Sequence, residues 1–156
     1  MTEEKRGRIL VATDFSPASQ EAVRTALRMA RSADAPLLIA HVLETPIPMS
    51  EGYVLPRMYD EIAQAVRDQA DRKMKRILAL ARRAGVRAHG LLLRGAPHEA
   101  IARAARTHGA DQVVVGTHGR TGFSRLLLGS VAARIIATSS RQTLVVPPSR
   151  RPRRAA

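Results

Sequence analysis

Hydrophobic positions follow two alternating patterns along the chain. Short unbroken apolar runs, rich in branched side chains, alternate with longer stretches in which apolar residues recur every three or four positions. The first pattern is typical of buried strands, and the second is typical of helices that cover them. The unbroken runs predict strands at Arg8–Thr13, Leu37–Val42, Val86–Leu93, Asp111–Gly116 and Thr143–Val146.

The helical stretches carry recognisable start and stop signals. Ser16 and Pro17 have the types preferred at the N-cap and first position of a helix, and Gly85 is a usual C-terminal signal. We predict an irregular stretch at 43–57, where prolines and a glycine gather. Three predicted helices run from Ser16 to Asp34, from Pro97 to Gly109 and from Gly129 to Ser139. A further, long helix has an apolar face that starts with Ile62, and it ends at Gly85.

Alternating strands and helices predict one α/β domain. Five buried strands and four helices fit a doubly wound, Rossmann-like parallel sheet that has helices on both faces. We place this domain at residues 1–148. Residues 149–156 form a basic tail without apolar periodicity, and we predict that this tail is disordered.

Composition narrows the classes of function. The 156 residues include 26 Lys and Arg against 13 Asp and Glu, which gives a net charge of +13. All but three of the basic residues are Arg, a bias that resembles genomic base composition more than selection for a polyanion. Two Tyr and two Phe offer little base stacking, so the sequence does not favour nucleic acid as a dedicated partner.

Several other classes of protein are excluded or disfavoured. The absence of Cys excludes disulfides, thiolate metal sites and a cysteine nucleophile. The five His show no metal-ligand spacing, so we predict no metal site. No apolar segment approaches the roughly 20 residues of a membrane helix. The acidic N-terminus does not resemble a secretory signal, and we expect a cytoplasmic protein.

Glycines gather after the fourth predicted strand, in the pattern Gly116-x2-Gly119-x9-Gly129-Ser130. Glycine lets a ligand approach the backbone, and the N–H groups of such a loop and of the following helix start can bind a polyphosphate. Turn glycines with a simple helix cap are the structural alternative. The P-loop pattern and the dinucleotide Gly-x-Gly-x-x-Gly pattern are both absent.

This motif resembles that of the universal stress proteins, in their ATP-binding branch. Asp14 closes the first strand and His41-Val42 closes the second, as in that family, and the similarity spans roughly residues 6–147. The resemblance implies a sheet of strand order 3-2-1-4-5. It also implies ATP as the ligand, with Mg²⁺ as an open possibility, and a role as a stress-response or energy-status module.

The resemblance assigns roles to individual positions. Val42 would meet the adenine through its main chain, with Thr13 and Asp14 on the adenosine side. Asp14 could assist a divalent ion, or it could simply cap the turn before Ser16. Val115, Gly116 and Gly119 would line the path of the ribose and phosphates, and the phosphates would be held by Gly129, Ser130 and Val131.

The residues expected in the cleft also predict whether a bound nucleotide is hydrolysed. Asp14 is the only carboxylate that we expect in the cleft, which favours binding with slow or absent hydrolysis. A slow Mg²⁺-dependent ATPase and an interaction protein that uses its basic surface are the alternatives.

In the family the fifth strand commonly pairs with its copy in a homodimer, and Leu144–Val146 keep an apolar edge for this pairing.

Overall fold

The computed structural model describes residues 7–44, 56–117 and 128–148, which form five strands and four helices in alternation. The strands are β1 (Arg8–Ala12), β2 (Leu37–Val42), β3 (Ala88–Leu93), β4 (Ala110–Gly116) and β5 (Gln142–Val146). The helices are α1 (Pro17–Ser32), α2 (Pro56–Arg83), α3 (Pro97–Thr107) and α4 (Ser130–Thr138). Residues 149–156, the predicted basic tail, lie outside the described residues.

All five strands are parallel, in the order β3-β2-β1-β4-β5. The prediction of a doubly wound five-stranded sheet with this order is therefore confirmed. From β1 the chain first builds outward through β2 and β3, and it then returns to add β4 and β5 on the other side. The reversal leaves a crevice at the carboxyl ends of β1 and β4, where ligands bind in sheets of this kind.

Two layers of apolar side chains bury the two faces of the sheet. Val11 and Ile39 belong to the layer under α1 and α2. Leu10, Leu38 and Val113 belong to the layer under α3 and α4. Because successive strand residues point to opposite faces and both faces are covered, the strands read as unbroken apolar runs.

Element ends differ from the predictions by one or two residues, and local geometry explains the main cases. β1 ends at Ala12 because Thr13 already belongs to the loop that enters α1. α4 is shorter than predicted because Gly129 and Ser139 act as its caps. α2 begins at Pro56, inside the stretch predicted to be irregular, and residues 45–55 lie outside the described residues.

The predicted helix signals act as expected. Ser16 caps α1, because its hydroxyl oxygen accepts the N–H of Ser19 at 3.2 Å. Gly85 follows α2 with a φ of 72°, and the N–H of Val86 donates to the carbonyl oxygen of Ala81 at 2.9 Å.

Within the three described ranges, the helices lack the combination of length and apolar character that crossing a bilayer requires.

A close contact between α2 and β3 provides a stability prediction. A Cβ atom on Gly90 would lie 2.6 Å from Cγ of Met74 and 2.9 Å from its Sδ. Met74 is buried, so its side chain has little room to move aside. We expect Gly90→Ala to lower the free energy of unfolding by about 1–2 kcal/mol, measured by urea denaturation.

The same substitution in a Met74→Ala background is the control. Removing the Met74 side chain opens the space that the new methyl group needs, so we expect Gly90→Ala to cost little there. An equal loss of stability in both backgrounds would contradict steric crowding at this contact.

Candidate functional site

A cavity of about 320 Å³ lies at the carboxyl ends of β1, β2 and β4. The first residues of α3 and α4 complete its walls. Its position is the crevice left by the reversal of strand order, so the fold itself creates this cavity.

The loop after β1 forms one wall and is fixed by its own hydrogen bonds. Thr13 Oγ1 accepts the N–H of Phe15 at 3.0 Å and lies 2.9 Å from Ser19 Oγ. The Ser19 hydroxyl donates to the carbonyl oxygen of Ser16 at 3.1 Å, so the Thr13 hydroxyl is the donor to Ser19. Asp14 Oδ1 accepts the N–H of Ser16 at 2.9 Å. Asp14 therefore makes the turn cap foreseen as its structural alternative, and its half-buried carboxylate also lines the cavity.

A histidine supports this loop from the neighbouring strand. His41 is buried in β2, and its Nδ1 lies 2.8 Å from the carbonyl oxygen of Thr13. Because a carbonyl oxygen only accepts, this contact places a proton on Nδ1. The ring of Phe15 lies against that of His41, with centroids 4.2 Å apart, and Phe15 has an unusual φ of 63°. The floor of the cavity at β1 and β2 is thus held by paired polar and aromatic groups.

The start of α4 forms the opposite wall. The N–H of Gly129 donates to the carbonyl oxygen of Thr117 at 2.7 Å, and Ala133 N–H closes the first helical turn on the carbonyl oxygen of Gly129 at 2.9 Å. Gly129 is the N-cap and has no side chain with which to cap the helix. The first-turn N–H groups of Ser130, Val131 and Ala132 have no intrahelical acceptors, and these residues line the cavity. The positive end of the helix dipole lies at the same place.

The structure brings together the predicted site residues that it describes. Gly119 lies outside the described residues. All the others line this single cavity: Thr13, Asp14, Val42, Val115, Gly116, Gly129, Ser130 and Val131.

Comparison with known proteins identifies the family. The model of the universal stress protein family matches residues 5–147. The chain belongs to this family. Universal stress protein MJ0531 of Methanocaldococcus jannaschii is 32% identical over 139 residues, which cover 89% of this chain and 81% of that protein.

Solved structures agree with this assignment. The structure of protein MJ0577 from the same organism superposes with a TM-score of 0.76 at 26% identity, and the match covers 94% of this chain and 99% of the other. A universal stress protein solved in complex with cAMP matches with a TM-score of 0.64 at 27% identity, and here the coverage is 92% and 98%. The resemblance inferred from the glycine motif is therefore confirmed at the level of the family.

Sequence reasoning missed part of the site of this universal stress protein. Glu44, which follows β2, lines the cavity, so the expectation that Asp14 is its only carboxylate is wrong. Pro97 and Ile101, at the start of α3, also line it. Their places in the chain, after β2 and β3, could have pointed to the site, because the residues that follow each parallel strand lie at the same edge of the sheet.

Metal-binding groups are sparse in the described part of this universal stress protein. In the ranges 7–44, 56–117 and 128–148, no group of three or more His, Asp or Glu side chains could hold a metal ion. Asp14 and Glu44 are the carboxylates that these ranges contribute to the cavity. Two carboxylates could supply part of the coordination of a divalent ion whose remaining ligands were water or phosphate.

Proposed function

We propose that this universal stress protein binds an adenine nucleotide, with ATP as its ligand, in the cavity between β1 and β4. It acts as a cytoplasmic stress-response or energy-status module rather than as an enzyme of a pathway. The observation that carries this proposal is the start of α4, where Gly129 is the N-cap without a side chain and the first-turn N–H groups of Ser130, Val131 and Ala132 lie at the cavity.

Phosphate groups suit the α4 side of the cavity. The N–H groups of Ser130, Val131 and Ala132 can donate to phosphate oxygens, and the hydroxyl of Ser130 adds a fourth donor. The helix dipole favours negative charge there. Gly116 and Gly129 present no side chain, so a phosphate could approach the backbone closely.

The base and ribose suit the β1–β2 side. Ala40, Val42 and Ile101 supply an apolar surface for a flat base, and the main chain of Val42 can pair with adenine. The carboxylate of Asp14 can accept ribose hydroxyl groups, with Thr13 beside it, and Val115 lies on the way to the phosphates. The relative solved with cAMP supports an adenine nucleotide as the ligand class.

Slow hydrolysis of ATP is the second candidate function, and the carboxylates of the cavity favour it. The carboxylates of Asp14 and Glu44 line the cavity that the proposed phosphate groups would enter. One could help to hold Mg²⁺ while the other accepted a proton from water. We propose that the protein binds ATP and hydrolyses it slowly or not at all.

The β5 edge of the described sheet supports a homodimer. β5 is the last strand of the sheet and pairs with β4 on one side. Leu144 and Val145 on it are only half-buried in the single chain. An apolar edge strand with unpaired backbone groups favours association, and we propose that the β5 strands of two copies pair.

Calorimetric titration tests the ligand. We expect ATP, AMP and cAMP each to bind with one site per chain, and GTP to bind more weakly because its base presents a different edge to the main chain of Val42. Mass analysis of material released from the denatured protein should detect a co-purified adenylate. The absence of both heat and released adenylate would contradict the proposal. Mg²⁺-dependent phosphate release during the ATP titration would favour the ATPase.

A further inference from the structure

A second cavity, of about 330 Å³, lies between α1 and α2. These two helices cover the sheet face opposite to α3 and α4. Its walls come from residues 20–27 of α1, residues 73–80 of α2 and the loop after β1. Small-molecule sites in proteins usually enclose roughly 300–1,000 Å³, so this cavity can hold one small ligand.

The inner surface of this cavity is apolar. Val23 is buried at its base, and Leu27 and Ile77 are partly buried on its two sides. Leu80 lines its rim and keeps 52% of its surface exposed. An exposed Leu beside an apolar hollow is a surface that a hydrocarbon chain would cover favourably.

The described rim of this cavity carries positive charge. Arg24, Lys73 and Arg76 line the cavity, and none of its lining residues among 7–44, 56–117 and 128–148 is an Asp or Glu. Arg24 is paired with Glu21 at 3.0 Å. Lys73 Nζ lies 5.6 Å from the centre of the Phe15 ring. Within the described part of the chain, neither Lys73 nor Arg76 forms a salt bridge. Two cations are thus available to an anionic group at the mouth.

We infer that this cavity is a binding site for a small amphiphilic anion, of the class of a free medium-chain fatty acid. The hydrocarbon chain packs against Val23, Leu27 and Ile77, and the carboxylate is held by Lys73 and Arg76. The hollow is open on one side, but its volume of about 330 Å³ fits one chain between two helices, which favours a single free molecule over a membrane surface. Positive charge around an apolar hollow matches a ligand that joins one negative group to one apolar chain.

Decanoate is the probe, and decanol and acetate are its controls. We expect decanoate to bind saturably with one site per chain below its micellar concentration. Decanol lacks the charge and acetate lacks the chain, so each should bind at least about 10-fold more weakly. In methyl NMR spectra decanoate should shift Leu27, Ile77 and Leu80, while Ile101 in the cavity at β1 and β4 should stay unchanged.

Charge reversal at two arginines of α2 gives a matched comparison. Arg76→Glu changes a lining residue, whereas Arg67→Glu makes the same change in net charge at an exposed position of the same helix, outside the lining and too far along the helix to pair with Arg76. We expect Arg76→Glu to weaken decanoate binding about 10-fold or more, and Arg67→Glu to weaken it less than about 2-fold. Leu80→Ser, at an exposed position, should weaken binding without affecting the fold.

Three outcomes would each overturn the inference. Equal losses in Arg76→Glu and Arg67→Glu would mean that decanoate responds only to net charge. Shifts at Ile101 in place of Ile77 would locate decanoate in the other cavity. Sedimentation with phosphatidylglycerol vesicles without saturable binding of decanoate would assign this surface to membranes. None of these measurements needs a bound nucleotide, so their failure is separate from a failure of the proposed function.

Discussion

Replacement of Ser130 by proline is expected to weaken ATP binding about 10- to 100-fold, measured by calorimetric titration. Proline has no N–H, so the variant loses one donor of the α4 first turn together with the Ser130 hydroxyl. A hydrogen bond to a charged group contributes about 1.5–3 kcal/mol, which corresponds to this range of affinity.

The backbone at this position can accept proline. Ser130 is the first residue of α4, where proline is well tolerated because the missing N–H has no intrahelical acceptor. Gly129 before it has φ −59° and ψ 149°, the extended conformation that a residue preceding proline prefers. We therefore expect the variant to unfold at nearly the same urea concentration as the parent.

Ser130→Ala is the matched control. It removes the hydroxyl but keeps the backbone N–H, so a smaller loss, of about 10-fold or less, is expected. If the alanine and proline variants bound ATP equally well, the backbone N–H of Ser130 would have no part in binding. Parent-like affinity in the proline variant would remove the main support for phosphate binding at α4.

Replacement of Ile135 by alanine is expected to lower the free energy of unfolding by about 2–4 kcal/mol, measured by urea denaturation. Ile135 lies on the inner face of α4 and is fully buried, and the other buried residue of this helix is the small Ala132. The substitution therefore removes most of the apolar surface with which α4 packs on the sheet. ATP affinity should fall as well, because α4 carries the proposed phosphate-binding N–H groups.

The adjacent position offers a control of the same residue type. Ile136 is 49% exposed, so Ile136→Ala should change stability by less than about 0.5 kcal/mol. Similar losses at the two positions would mean that α4 does not pack as the structure shows. Full stability in Ile135→Ala would lead to the same conclusion.

Much of the fold could be predicted because local pattern and global architecture agree. Leu37–Val42 is buried at every position, and its apolar run predicts the strand with the observed ends. Ser16 and Pro17 likewise set the start of α1 through local chemistry alone. The strand order is a different matter, because apolar runs indicate that a sheet exists but not which strands are neighbours. That order came from the family resemblance.

The site could be predicted only in part. The glycine motif and Asp14 led to the β1 and α4 walls, since their residue types have local meaning. The residue types of Ile101 and Glu44 have no such meaning, because an Ile on a helix or a Glu after a strand is ordinary, and only their places after β3 and β2 in the chain pointed to the site. They belong to the site only through the packing of distant segments. The cavity between α1 and α2 was missed for the same reason.

The pairing of β1 with β4 has a consequence for the time at which the crevice can form. The N–H of Arg8 donates to Oδ2 of Asp111 at 2.9 Å across 103 residues of sequence, and its guanidinium donates to the carbonyl oxygen of His108. A chain emerging from the ribosome holds β1 long before β4 exists, so this large loop must close late. A nucleotide therefore cannot guide the early collapse of the chain. It can only favour the finished domain, by binding after the two central strands have met.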